Sequence, residues 1–108
     1  GRVECRYEAD PHLCGMEGVV HGGVQAALLD EAMGFAIHAG LGDEDGPIVT
    51  VDFTLRYRRP VPTAAPLLVR GRMLRREGAN VFVAGEIVDA EGRVCTEAEA
   101  RWKRVTRR

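Results

Sequence analysis

One long, nearly uncharged segment constrains the fold of this chain more than any other feature. Residues 21–40 hold two carboxylates, two histidines and one glutamine, and all their other residues are small or apolar. On a helical wheel of about 100° per residue the apolar side chains cover most of the circumference. The pattern therefore predicts a long helix that is buried nearly all round. It is the one long helix predicted, because the rest of the chain is typical of strands and turns.

Asp30 is the unusual residue of this segment. Glu31 and His38 project within about 20° of each other and predict a narrow polar edge, whereas Asp30 lies roughly 80–100° away from that edge. An unpaired charge in such a place is costly to desolvate. The residues alone leave two interpretations open. Asp30 is either paired with an arginine or a backbone N–H at a surface or subunit boundary, or it is a functional group.

The start of the predicted helix carries two glycines, Gly22 and Gly23, directly after His21. The N–H groups of a first helical turn lack intrahelical partners and attract anions or oxygens that gain negative charge. Glycine leaves that backbone open to a ligand. Ser, Thr, Asp or Asn would be stronger caps, so capping alone explains this sequence poorly. The alternative is a flexible turn that only leads into the helix.

The composition predicts one globular domain over residues 1–108. Of these residues 45% are hydrophobic and 29% are charged, which is an ordinary balance for a globular protein. No apolar run reaches the roughly 20 residues of a membrane span, and no signal peptide is evident, so we expect a cytoplasmic protein without a membrane partner. The three cysteines, Cys5, Cys14 and Cys95, predict reduced structural thiols; Cys14, which precedes His21, is the one with a nucleophilic alternative.

The charge is unevenly distributed along the chain. Residues 1–54 carry 2 basic and 10 acidic side chains, whereas residues 55–108 carry 13 basic and 6 acidic ones. Fourteen of the fifteen basic residues are arginines, which suit phosphate contacts. The second half is therefore compatible with an anionic ligand such as a nucleotide-bearing cofactor, although most arginines are expected to be ordinary surface charges. Nucleic acid is not expected as a partner, because the overall balance is not basic.

The remaining segments predict an antiparallel sheet. Strands are expected over residues 1–8, 48–58, 67–76, 80–88 and 93–104, with a loop over 9–20, a polar turn over 43–47 and short turns elsewhere. In the second strand, alternation places Val49, Val51, Phe53, Leu55 and Tyr57 on a core face and Thr50, Asp52, Thr54, Arg56 and Arg58 on a polar face. A single sheet does not cover every side of a helix, so we expect at least a homodimer.

Two sequence patterns carry a resemblance to a known family. The segment Gly18-Val19-Val20-His21-Gly22-Gly23, followed seven residues later by an aspartate, resembles the hotdog-fold thioesterases, and most of all the PaaI-like acyl-CoA thioesterases. The likeness continues through Thr50-Val51-Asp52 and Arg58-Arg59-Pro60-Val61-Pro62. It implies an α+β hotdog fold, in which an antiparallel five-stranded sheet wraps around one long helix.

The resemblance also implies site residues. Asp30 corresponds to the nucleophile or general base, the Gly22 N–H to the donor for the thioester carbonyl, and Thr50 to a group that positions water or the carboxylate. His21 is expected to orient the loop or to hydrogen-bond near the thioester. Gly23, Arg58 and Arg59 are the expected substrate-binding residues.

The family's site lies between subunits, so the resemblance implies a homodimer or homotetramer. No metal and no separate cofactor is expected, since coenzyme A is part of the acyl-CoA substrate. Many family members carry an asparagine where this chain has Gly15. That departure keeps open a non-catalytic acyl-CoA or acyl-carrier binding module, whereas a hotdog hydratase fits less well because no dehydratase-type Asp/His arrangement is present.

Overall fold

The computed structural model describes residues 1–41 and 47–105. In chain order the elements are β1 (Arg2–Glu8), a 3₁₀ turn (Pro11–Leu13), β2 (Cys14–Met16), β3 (Val19–Val20), α1 (Gly22–Leu41), β4 (Ile48–Tyr57), β5 (Pro66–Glu77), β6 (Asn80–Val88) and β7 (Val94–Arg104). An antiparallel five-stranded sheet has the order β1-β5-β6-β7-β4, and β2 pairs with β3 alone. The predicted helix and five main strands are confirmed. The predicted loop over 9–20 also holds the small β2–β3 hairpin, and the polar turn predicted at 43–47 falls almost entirely outside the described residues.

Helix α1 packs chiefly over β1, β5 and β6. Its contact with the sheet is unusually close because Gly71 and Gly85 lie opposite each other on β5 and β6. A Cβ atom on Gly71 would lie only 2.5 Å from the carbonyl oxygen of Ala32, and one on Gly85 would lie 3.2 Å from a side-chain carbon of Met33. The two glycines therefore set the depth to which the helix sinks into the sheet. Among the described residues, no helix has the length and hydropathy needed to cross a lipid bilayer.

One face of α1 stays uncovered in the single chain. Glu31 and His38 are exposed, as the wheel predicts, and they share this face with Ala27, Ala39 and Phe35, whose exposed fraction is 51%. The helix is thus not buried all round by its own sheet. An exposed phenylalanine among alanines is the kind of apolar surface that another molecule covers.

A β-bulge in β4 corrects the predicted faces of that strand. Thr50 pairs with Trp102 and Asp52 with Arg101, so Val51 is an extra residue in the ladder. The two-residue alternation therefore changes phase at Val51. The single core face predicted for β4 is wrong. Before the bulge Ile48 and Thr50 face the helix, whereas Val49 and Val51 are 46% and 43% exposed; after it, Phe53, Leu55 and Tyr57 face the helix side as predicted.

The sheet face away from the helix explains much of the uneven charge. The sheet places strands from the two halves of the chain side by side, so arginines of the second half meet carboxylates across the strands. Arg101 contacts Asp52 at 2.7 Å, and Arg70 contacts Glu86 at 3.0 Å. These arginines act as surface ion pairs, as expected for most of the fourteen.

Asp89 organises the turn between β6 and β7. Its buried carboxylate accepts the backbone N–H of Arg93 at 2.9 Å and of Glu91 at 3.1 Å, and it also accepts the Arg93 guanidinium at 2.9 Å. These bonds, the Arg93 backbone N–H first among them, hold the pKa of Asp89 below its usual value. Burial raises the pKa of the neighbouring Cys95 thiol, which agrees with a structural role for that cysteine.

We expect Asp89 to make folding sensitive to acid. Because its pKa is lower in the folded chain than in the unfolded one, its contribution to stability is present above about pH 4 and is lost as the pH falls through the folded pKa. The free energy of unfolding, measured by urea titration between pH 2.5 and 7, should fall more steeply on acidification for the wild type than for Asp89→Asn. Parallel pH profiles for the two proteins would contradict this role.

Candidate active site

The imidazole of His21 caps helix α1. The ring Nδ1 accepts the backbone N–H of Gly23 at 2.9 Å. The backbone carbonyl of His21 accepts the N–H of Gln25 at 3.1 Å, which is the first bond of the helix. The expectation that capping explains this segment poorly is therefore wrong for Gly23, because the His21 ring caps its amide. Because Nδ1 is an acceptor, the proton of the neutral ring lies on Nε2.

A buried glutamine anchors the residue before this cap. Gln25 is only 4% exposed; its amide nitrogen donates to the carbonyl of Val20 at 3.0 Å, and its amide oxygen accepts the hydroxyl of Thr96 on β7 at 2.5 Å. The N–H of Val20 donates to the carbonyl of Val61 at 2.8 Å. Both backbone groups of Val20 are thus satisfied, and the helix start is fixed to the sheet.

The amide of Gly22 differs from the amides of the residues on either side of it. The N–H of His21 donates to the carbonyl of Leu13 at 2.8 Å, and the carbonyl of Gly22 accepts the hydroxyl of Tyr57 at 3.0 Å. Within the described residues, the N–H of Gly22 donates to no protein acceptor, although every other backbone N–H from Val20 to Gly23 does. The Gly22 N–H is therefore a free donor at the positive end of the helix, and the N–H of Val24 in the same turn has no acceptor in the described residues either.

Asp30 lies half-buried about two turns further along α1. One of its oxygens, Oδ1, accepts the hydroxyl of Thr50 at 2.8 Å, whereas Oδ2 has no hydrogen-bond partner in the described part of the chain. The sequence predicted both residues as members of one site. Strict alternation predicts that Thr50 faces away from the helix. The bulge at Val51 turns Thr50 to the helix side, where it reaches Asp30.

The Gly22 amide and the Asp30 carboxylate lie near opposite ends of β4, because α1 runs antiparallel to that strand. Tyr57, the last residue of β4, fastens the helix at Gly22, and Thr50, near its first residue, fastens it at Asp30. Tyr57 and Gln25 were not predicted as site residues. Tyr57 was assigned only to a core face, and nothing in the sequence places Gln25 beside Thr96, which lies 71 residues away.

The other predicted residues are placed less tightly. Gly23 is exposed at the helix start. Arg58 and Arg59 follow Tyr57 directly; Arg58 pairs with Glu97 at 2.8 Å, whereas the exposed Arg59 pairs with no carboxylate in the described residues. A Cβ atom on Gly15 would lie 3.3 Å from the His21 ring, so the position that differs from the family pattern adjoins the cap.

The described residues do not offer a metal centre. Within residues 1–41 and 47–105, no three His, Cys, Asp or Glu side chains come together in a way that could hold a metal ion. The N–H of His12 binds the Asp10 carboxylate in the 3₁₀ turn, and the rings of His12 and His38 are both exposed.

Comparison with known proteins gives a family match and several relatives. The model of the thioesterase superfamily matches residues 17–96, a range that includes both the helix start and Asp30. The acyl-coenzyme A thioesterase THEM4 of Rattus norvegicus is 29% identical over 83 residues, which are 77% of this chain and 34% of the relative. THEM4 of Xenopus laevis is 29% identical over 86 residues, which are 80% of this chain and 37% of the relative. The chain thus spans about a third of the length of these curated relatives.

Solved structures share the fold. A thioesterase superfamily protein is 32% identical and superposes with a TM-score of 0.83, over 94% of this chain and 48% of that one. A thioesterase described as a phenylacetic acid degradation-related protein, from Ralstonia eutropha JMP134, is 28% identical with a TM-score of 0.83, over 94% of this chain and 75% of its own.

Proposed function

Since the chain belongs to the thioesterase superfamily and has its hotdog fold, we propose that it is an acyl-CoA thioesterase. The reaction adds water to the thioester and releases a carboxylic acid and the thiol of coenzyme A. The observation that carries the proposal is the Gly22 N–H, a donor without an acceptor in the described residues that lies between the bonded amides of His21 and Gly23. The acyl-coenzyme A thioesterases among the relatives support it, although they are longer proteins.

The proposed chemistry follows from what a thioester needs. Attack on its carbonyl carbon produces a tetrahedral oxyanion, and one preorganised donor aimed at that oxygen contributes roughly 3–4 kcal/mol of transition-state stabilisation. The Gly22 N–H supplies the donor. Asp30 acts either as general base, taking a proton from the attacking water, or as the nucleophile itself. Thr50 holds Oδ1, which leaves Oδ2 to face the reacting carbon or water.

One chain alone does not bring these two groups to one carbonyl. Gly22 and Asp30 are eight residues apart on α1, which corresponds to about 12 Å of helix rise. A carbonyl oxygen within hydrogen-bond distance of the Gly22 amide is therefore out of reach of the same chain's Asp30. We propose that each site combines Asp30 of one chain with Gly22 of its partner.

The arrangement of β4 fits such a pairing. β4 is an edge strand, and the exposed Val49 and Val51 make that edge apolar. If two copies pair antiparallel through β4, with the twofold axis near its middle, the Thr50 end of one copy lies beside the Tyr57 end of the other. Asp30 of one chain then approaches the partner's Gly22, and this happens twice per dimer.

The uncovered face of α1 supports an assembly larger than the dimer that pairs through β4. Phe35 stays half exposed in the single chain, and the alanines beside it leave a flat apolar surface. We propose a homodimer as the minimal active unit, and a homotetramer as the assembly in which this helix face is also covered.

Arg59 is the proposed contact for the phosphates of coenzyme A. It follows two residues after Tyr57, and so it lies near the Gly22 end of the site, where the thioester carbonyl is to be bound. Arg58 is the second candidate, but its guanidinium is already held by Glu97. Arg59 therefore retains more of its capacity for a bidentate phosphate contact.

Neutralising Arg59 should weaken binding without slowing the chemistry. For Arg59→Gln we expect about a tenfold higher KM for acyl-CoA and a weaker dependence of KM on salt, since one charge-assisted contact is lost. The kcat should stay near the wild-type value. A truncated acyl thioester of N-acetylcysteamine, which has no phosphates, should be hydrolysed equally by both proteins. A loss of the same size on the truncated substrate would contradict the phosphate contact.

The function itself is tested by release of free thiol from a panel of acyl-CoA esters that includes arylacetyl, short-chain and long-chain members. Hydrolysis of at least one class is expected, with no change in the presence of a chelator. Gly15, which stands where many family members have an asparagine, favours a second candidate, an acyl-CoA or acyl-carrier binding module. Tight binding across the panel without thiol release would support that module and contradict the thioesterase.

A further inference from the structure

Tyr57, at the end of β4, contacts Gly22 and has no role in the reaction proposed so far. The hydroxyl of Tyr57 donates to the carbonyl oxygen of Gly22 at 3.0 Å. Its ring lies directly against the glycine, since a Cβ atom on Gly22 would be 3.2 Å from the hydroxyl oxygen and 3.4 Å from the carbon that bears it. Tyr57 is nevertheless 54% exposed, so it is not a core residue that happens to touch the helix.

Both peptide units that flank the Gly22 Cα are held in place. The unit before it is fixed through the carbonyl of His21, which accepts the N–H of Gln25. The unit after it is fixed at both ends, because its N–H, that of Gly23, donates to His21 and its carbonyl accepts from Tyr57. Of the groups that hold the unit after the Cα, Tyr57 alone comes from the sheet.

Glycine makes this restraint consequential. Without a Cβ atom, Gly22 has more backbone freedom than a residue with a side chain, and that freedom would let its N–H swing away from a bound oxygen. A donor stabilises an oxyanion only if it is aimed before the charge develops. A hydrogen bond from the sheet to the Gly22 carbonyl removes part of this freedom.

We propose that Tyr57 is a positioning residue, whose hydroxyl fixes the aim of the Gly22 amide at the thioester oxygen. This inference rests on the proposed thioesterase function and deepens it. Tyr57 acts through the Gly22 amide, and so its contribution is expected in kcat and not in substrate binding.

The kinetic test uses Tyr57→Phe, which keeps the ring and removes only the hydroxyl. We expect about a tenfold lower kcat, a KM within about twofold of the wild type and little change in Tm, because an aiming bond and not the donor itself is lost. Tyr7→Phe is the matched control; the Tyr7 hydroxyl makes no hydrogen bond within the described residues, and its removal should leave kcat unchanged. A raised KM with unchanged kcat, or an equal loss in Tyr7→Phe, would overturn the proposal.

A double-mutant cycle distinguishes positioning from general support of the fold. In the background of Gly22→Pro, which has no amide proton to aim, Tyr57→Phe should lower the residual kcat by less than about twofold. A tenfold loss in that background as well would mean that Tyr57 acts independently of the Gly22 amide, and the proposal would be wrong.

A readout without turnover keeps this inference separate from the proposed function. In protein labelled with ¹⁵N-glycine, Tyr57→Phe should shift the amide resonances of Gly22 and Gly23, whereas Tyr7→Phe should not. If thiol is released normally but these resonances do not move, the positioning role fails and the thioesterase stands. If the resonances move but no acyl-CoA is hydrolysed, the thioesterase fails while the structural restraint on Gly22 is confirmed.

Discussion

Asp30→Asn is expected to abolish nearly all acyl-CoA hydrolysis while the protein stays folded. The amide neither takes a proton from water nor attacks a carbonyl, so kcat should fall by roughly 10²–10⁴-fold. Asparagine has the size of aspartate, and its carbonyl oxygen still accepts the Thr50 hydroxyl that contacts Oδ1 at 2.8 Å. The local structure around Asp30 should therefore survive the change.

Glu31→Gln is the matched control, because it neutralises the next carboxylate along the same helix. Glu31 is exposed and is not part of the proposed site, so its variant should hydrolyse acyl-CoA at the wild-type rate. Thiol release under saturating substrate measures kcat, and thermal unfolding verifies that both variants fold. If Asp30→Asn kept wild-type turnover, Asp30 would have no chemical role.

Replacement of Gly22 by proline is expected to have the second largest effect. Proline has no N–H, and it is well tolerated at the first position of a helix, where the amide has no intrahelical partner. Because the change removes the proposed oxyanion donor, kcat should fall by about 10²–10³-fold. KM should change much less than kcat, since the donor acts mainly on the charge that develops in the transition state.

Gly22→Ala separates the loss of the amide proton from the added carbon atoms. Alanine keeps the N–H but also brings a Cβ atom within 3.2 Å of the Tyr57 hydroxyl, as proline does. Gly22→Ala should therefore retain most of the activity that Gly22→Pro loses. Equal losses in the two variants would mean that crowding against Tyr57, and not the missing donor, causes the defect.

The sequence predicts the elements of this fold well where a regular pattern repeats. The long helix follows from a nearly uncharged segment, and β6 begins and ends at the predicted residues. The bulge in β4 was not predictable from the residues of β4. It is a property of the pairing with β7, where two residues of one strand stand opposite a single step of the other. That single insertion moved Val49 and Val51 outward and brought Thr50 to Asp30.

In the candidate site, too, contacts between residues far apart in the sequence are not predictable from local patterns. Gly22, Asp30 and Thr50 belong to short motifs, so the family resemblance predicts them together as site residues. Tyr57 and Gln25 act through partners 35 and 71 residues away, Gly22 and Thr96, and no local pattern encodes such contacts. The ring of His21 caps the helix by accepting the N–H of Gly23. Its residue type gave no sign of this, since histidine is not a preferred capping residue.

The central claim is that each active site takes its carboxylate and its amide donor from different chains, and mixed dimers test it most directly. A chain with Asp30→Asn is co-expressed with a chain with Gly22→Pro under two affinity tags, and the dimers that carry both tags are isolated. In the converse dimer, one chain carries both changes and the other is wild type. A shared site predicts about half of the wild-type rate for the first dimer and almost none for the converse one, since only the first keeps one intact pair. The reverse result, an inactive first dimer and a half-active converse dimer, would place both groups in a single chain and contradict the account.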